Sequence, residues 1–343
     1  MNIFSQKQDV EELFLEGILE QIELKPPRIR EKKPRVIVLS GPTGCGKSAL
    51  AMMLAKEVKG EIISADSVQV YKGMDIGTAK PTAADQESVP HHLINIRHIT
   101  EPYNVVDFYY EARHSCQSVL ARNRIPIICG GSGFYLHALL YGPPSGPPSV
   151  PELRRNLEKE LAEKGPEEMY EKLMQLDRPY AKTITPHDKH KIVRALEIIE
   201  LTGGKVSHLS WKNRTTPQHY DFRCWLLNRP KSTLYNRINT RCEKMLAYGL
   251  LEEVSALEHE GLKENPSAYH AIGYRQSLEF LHSERSLQSY REFVIEFMKA
   301  SRHYAKRQMT WFKKEPLFQK IDLDLHDPET AMEMILRDYE SGL

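Results

Sequence analysis

Short apolar runs alternate with amphipathic, helix-periodic stretches along most of the chain. Residues 35–40 (RVIVLS) are apolar and rich in β-branched side chains, the pattern of a strand covered on both faces of a parallel sheet. Helical periodicity follows from Ser48 to Val58, and further strand-like runs stand at 61–66 (EIISAD), 93–96 (LINI), 125–129 (IPIIC) and 222–227 (FRCWLL). Strands alternating with helices predict an α/β fold built on a doubly wound, mostly parallel sheet. After Tyr141, glycine and proline crowd residues 142–148, and charged helical sequence follows as far as Trp211. We therefore expect a first core part over 35–142, a helical insertion domain over 143–220 and a second core part over 221–320, mostly helical from Ser232 to Lys314. An amphipathic, proline-ended extension (1–34) precedes the core, and a C-terminal tail (321–343) follows it.

Composition narrows the choice of partners and compartment. The chain of 343 residues carries 47 Lys and Arg against 46 Asp and Glu, so any polyanion must be met by a local patch. Cys45, Cys116, Cys129, Cys224 and Cys242 are scattered, with no C-x-x-C pair, which predicts a reducing cytoplasm and no structural metal. His91 and His92 are adjacent, hence differently directed, and read as loop or packing residues. No secretory leader and no run of ~18 apolar residues is visible, so no membrane partner is expected. We expect a monomer.

The strongest chemical signal is Gly41-Pro42-Thr43-Gly44-Cys45-Gly46-Lys47-Ser48, a complete G-x-x-x-x-G-K-[ST] between an apolar strand and a helix. Its backbone amides and helix N-terminus suit a diphosphate or triphosphate, Lys47 neutralises the distal phosphate, and Ser48 can ligate Mg²⁺, the expected cofactor. An ATPase would add a second apolar strand ending in Asp. The candidate here is Asp66, which opens an unusual run, from Asp66 through Tyr71-Lys72-Gly73-Met74-Asp75-Ile76-Gly77-Thr78-Ala79-Lys80 to Pro81.

With that run, D-S-x-x-x-Y-K-G-M-D-I-G-T-A-K-P, the chain resembles the tRNA dimethylallyltransferases, also known as the IPP transferase family. Further matches are Pro90-His91-His92-Leu93, Gly130-Gly131-Ser132-Gly133-Phe134-Tyr135, Arg194-Ala195-Leu196-Glu197, Gly273-Tyr274-Arg275-Gln276 and Ala305-Lys306-Arg307-Gln308, in order over about residues 35–315. The resemblance implies a P-loop that holds dimethylallyl diphosphate in place of ATP, and transfer of its prenyl group to the adenosine beside the anticodon of tRNA. It gives Asp66 the role of general base, assigns Thr43 a donor contact and places Arg241 on the diphosphate. Chemistry independently supports the base, because the exocyclic nitrogen of adenine is a poor nucleophile until its proton is removed.

For the tRNA anticodon stem-loop, the resemblance points to Asp66, Ser67, Val68 and Gln69 at the target base, and to Ser132, where the family more often has Thr. It adds Arg154, His190, Lys191 and Arg194 in the insertion, and His270, Gly273, Tyr274 and Arg275 further on. Residues 298–314 hold Lys299, Arg302, Lys306, Arg307, Lys313 and Lys314 and no acid, a strip that suits a phosphate backbone, with Tyr304 and Trp311 as stacking surfaces. The residues alone leave three other readings open: a small-molecule P-loop kinase, a nucleotide-dependent RNA-binding factor, and a prenyltransferase acting on free adenine nucleotides.

Overall fold

The computed structural model describes residues 33–209, 217 and 219–341. Its centre is a six-stranded, all-parallel sheet of β1 (Arg35–Ser40), β2 (Glu61–Ser64), β3 (His91–His92), β4 (Pro126–Cys129), β5 (Asp221–Asn228) and β6 (Gln319–Asp322), in the order β3-β2-β4-β1-β5-β6. The most apolar run takes a central place. Every residue of β1 is buried, and Val36, Ile37, Val38 and Leu39 have no exposed surface. Helices cover both faces, as an all-parallel sheet requires.

Two expectations from the hydrophobic pattern fail. Residues 93–96 are not a strand: Leu93 and Asn95 take left-handed backbone conformations, φ 61° and 55°, and the run turns away after the two-residue β3. Leu93 and Ile94 are nonetheless buried, so apolarity here records packing and not extension. Nor is 321–343 a tail. β6 pairs with β5 in register Leu227 to Ile321, and the helix Pro328–Glu340 buries Ala331 and Ile335 against the same core. Arg35 at the start of β1 reaches this helix end, donating to the carbonyls of Tyr339 and Ser341 while pairing with Asp221 at 3.0 Å.

His91 and His92 form the edge strand β3. His92 Nε2 lies 2.6 Å from Glu61, a buried carboxylate that Arg122 also meets at 2.7 Å. Burial acts to raise the pKa of Glu61, but hydrogen bonds from Arg122 and His92 bring it below the ordinary carboxylate value.

The helices Pro151–Lys164, Pro166–Leu176, Arg178–Ala181 and Lys189–Thr202 enclose a second buried cluster around Leu157, Met169, Leu173 and Ile192, apart from the main core. At its base Glu197, fully buried, accepts from Ser149 Oγ at 2.5 Å, Val150 N at 2.8 Å and Arg194 at 2.6 Å. Nearly all of the expected 1–34 extension, and residues 210–216 of the insertion, lie outside the described residues. Among the described residues no helix is long and apolar enough to cross a membrane.

Candidate active site

Parallel strands deliver their C-terminal ends to one edge of the sheet, where ligands bind in open α/β folds. Here β2, β4 and β1 are neighbours, so three sequence-distant segments meet: Asp66 after β2, the Gly130–Gly133 turn after β4, and the P-loop after β1. The turns are stitched together. Gly130 N donates to Leu39 O, Ser132 N donates to Ala65 O, and Ser40 Oγ donates to Gly130 O. A Cβ on Gly130 would stand 2.1 Å from Ala65 O, so only glycine lets the β4 turn lie against the Asp66 segment.

Asp66 closes a local turn, its Oδ1 accepting from Val68 N at 2.9 Å and Gln69 N at 3.4 Å. Both bonds use one oxygen, Oδ1, which orients the carboxylate. Ser132 Oγ accepts from Ser67 N at 3.3 Å, linking the two acceptor-side candidates. Lys47 Nζ donates to the carbonyls of Gly41 and Pro42, each at 2.9 Å, and so lies folded over its own loop. Cys45 is fully buried in the core, leaving only its backbone for a ligand.

One face of the helix Lys231–Ala247 supplies two arginines at i and i+4. Arg241 donates to Thr78 O at 3.3 Å, and Arg237 donates to Gly44 O at 2.8 Å. Burial lowers the pKa of the Arg241 guanidinium, while the charge of Asp66 works against that shift. Lys80 is similarly enclosed, donating to Tyr71 O, Asp75 Oδ1 and Asn95 Oδ1 at 2.6–2.7 Å. Burial also pushes the Cys129 thiol up to about 12, so it is not a nucleophile.

These groups line two adjoining pockets. The first, about 560 Å³, contains Thr43, Asp66, Ser67, Val68, Gln69, His270, Tyr304 and Arg307. The second, about 1010 Å³, lies on the outer side of the phosphate loop with Gly44, Gly46, Arg237, Lys244 and Tyr248. Lys47, Ser48, Lys80 and Arg241 belong to both, so the cations stand between the two openings.

The long helix Leu287–Phe312 presents Tyr304, Arg307 and Gln308 to the first pocket on one face. Gln308 Oε1 accepts from Thr43 N at 2.9 Å and its Nε2 donates to Gly131 O at 3.0 Å, bracing the phosphate loop against the β4 turn. In the sequence Gln308 stands only as the last residue of Ala305-Lys306-Arg307-Gln308, with nothing to mark this bracing role. Trp311 is not a stacking surface: its ring packs on Gly133, where an added Cβ would approach to 2.3 Å, and edge-on to His137.

Other candidates divide by exposure. His190, Lys191, His270, Arg275, Lys306 and Arg307 are exposed, Arg307 beside the Tyr304 ring at 5.7 Å. Arg302 is held by Asn239 at 2.7 Å, and Arg154 and Arg194 turn to Glu197, at 3.8 and 2.6 Å. Tyr274 is buried at the wall of the first pocket, its hydroxyl donates to Glu253 at 2.6 Å and its ring supports Gly77. Gly273, at φ 93°, is buried just before it.

Comparison with known proteins gives the chain its relatives. The family profile described as IPP transferase matches residues 69–315. A tRNA dimethylallyltransferase of Protochlamydia amoebophila is 58% identical over 339 residues, covering 99% of this chain and 98% of that protein. Its counterpart in Chlamydia pneumoniae is 48% identical, with 90% of each covered. Among solved structures, a tRNA delta(2)-isopentenylpyrophosphate transferase of Staphylococcus epidermidis superposes with a TM-score of 0.64 at 32% identity, over 90% of this chain and 99% of that one. A eukaryotic dimethylallyltransferase acting on tRNA superposes with a TM-score of 0.72 at 26% identity, over 88% of this chain and 78% of that one. Motif order, pocket and comparisons converge: the chain belongs to the IPP transferase family.

Proposed function

We propose that this chain transfers a dimethylallyl group from dimethylallyl diphosphate to the exocyclic amino nitrogen of the adenosine beside the anticodon in tRNA. The observation that carries the reading is the grouping of a phosphate loop, an oriented carboxylate and Arg241 around one pocket. Asp66 takes the amino proton as nitrogen bonds to the allylic carbon, and the carbon–oxygen bond to diphosphate breaks. Charge developing on the departing diphosphate meets the loop amides, Lys47 and Arg241, and Thr43 lies within reach of the donor. The adenosine enters through the first pocket, past Ser67, Gln69 and Ser132, and the diphosphate lies toward the second. A base without a pairing partner is swung out at modest cost.

Ser48, at the first turn of the phosphate-loop helix and on the wall of both pockets, is the residue suited to holding Mg²⁺. Among the described residues no three His, Cys, Asp or Glu side chains converge as a metal site, so the donor set fits an ion carried with the diphosphate, whose charge it would neutralise. The five free cysteines suit a reducing cytoplasm.

The direct test compares label transfer to tRNA from labelled dimethylallyl diphosphate and from γ-labelled ATP. Label is expected on the RNA from the prenyl donor alone; label from ATP alone would replace this reading with a kinase. Lys306 and Arg307, both exposed, carry the RNA expectation. Replacing both with Ala removes two phosphate contacts, so the slope of log affinity against log salt should shrink by about 1.4, at ~0.7 per contact for single strands. Donor affinity stays near wild type. An unchanged slope in a filter-binding titration would make this strip a solvated helix face.

A further inference from the structure

Asp75, Ile76 and Gly77 turn three successive backbone N–H groups toward one point, the arrangement that binds anions in phosphate loops. The anion that occupies it is internal. Glu253, on the helix Leu250–His259, accepts from Asp75 N at 3.0 Å and Ile76 N at 2.6 Å through Oε2. Its Oε1 accepts from Gly77 N at 3.2 Å and from the buried Tyr274 hydroxyl at 2.6 Å. One carboxylate therefore fixes the turn that ends at Thr78.

The next carbonyl is the one the site uses. Thr78 O accepts from Arg241 at 3.3 Å and from Gln69 Nε2 at 3.3 Å, so two pocket side chains on different elements take their position from a single oxygen. Thr78 Oγ1 anchors the same turn to Met74 O at 2.7 Å, and Gly77 lies flat on the Tyr274 ring. We infer that Glu253 is a positioning residue: it holds residues 75–78 so that the Thr78 carbonyl aims Arg241 at the leaving diphosphate and Gln69 at the acceptor base. The inference rests on the proposed transfer reaction.

Glu253→Ala, measured by single turnover with donor and RNA saturating, should lower the rate constant by about 10²-fold, the scale of a misplacement near 1 Å. Glu253→Gln keeps one acceptor oxygen for Asp75 and Ile76 and can donate to Tyr274, so it should recover to within about tenfold of wild type, still short of it by the Gly77 bond. A role in stability alone would reduce the amplitude of the burst and leave the rate constant intact. The double variant Glu253→Ala/Arg241→Gln should be slower than Arg241→Gln by clearly less than the Glu253→Ala factor, because only the part acting through Gln69 remains to be lost. Binding of inorganic diphosphate, followed by calorimetry and independent of any transfer, should weaken about tenfold in Glu253→Ala, the loss of roughly one charge-assisted hydrogen bond. A wild-type chain that binds diphosphate but makes no prenylated RNA would refute the reaction and leave this binding readout to decide Glu253. Multiplicative effects in the double variant, or wild-type diphosphate affinity in Glu253→Ala, would overturn the inference. So would an alanine variant that does not fold beside a glutamine variant of wild-type rate.

Discussion

Replacing Asp66 with Asn should slow prenyl transfer by about 10²–10⁴-fold, the range general-base catalysis supplies. The substitution is close to isosteric, and the amide oxygen can still accept from Val68 N and Gln69 N, so the local turn survives. What disappears is the capacity to take the amino proton and the negative charge near Arg241. Donor and RNA affinities, measured by equilibrium titration, should therefore change far less than the single-turnover rate. A rate within a few-fold of wild type would assign Asp66 another task.

Removal of Lys47 should be the second large loss. Lys47→Ala withdraws the cation that the loop holds at the boundary of the two pockets, and a single preorganised charge stabiliser of this kind is worth about 10²–10³-fold in kcat. Arg241 and the N-terminus of the helix Lys47–Glu57 remain, so activity should not vanish. Arg at position 47 should rescue poorly. Its planar fork cannot reproduce the compact ammonium that now donates to Gly41 O and Pro42 O. Steady-state kinetics decide the matter: a higher KM for the donor with unchanged kcat would mean that Lys47 binds ground state and transition state alike.

Features set by local chemistry were legible in the sequence. A β-branched run followed by a complete phosphate-loop motif places β1, the loop and its helix within a residue or two, and the run after Asp66 marks the pocket wall. Elements decided by distant partners were not. The 93–96 run has strand composition but a backbone that turns, and β6, with two exposed residues of four, carries almost no hydrophobic pattern because it lies at a sheet edge. Glu253 and Gln308 look like ordinary helix-surface residues until the fold brings them 176–178 and 265 positions back along the chain to the backbone they brace. For Tyr274 the motif match says that the side chain matters without saying what it touches, and the fold adds its hydrogen bond to Glu253.

The placement of β1 between β4 and β5 also bears on how the chain reaches this structure. Arg35 pairs with Asp221 across 186 residues, and every neighbour of β1 comes from later in the sequence. During vectorial synthesis the most apolar strand leaves the ribosome well before either flanking strand exists, and loop closure over such spans makes assembly slow. For that interval RVIVLS is an unpaired, aggregation-prone edge, so productive folding in the cell should depend on chaperone capacity more than the finished, fully covered sheet would suggest.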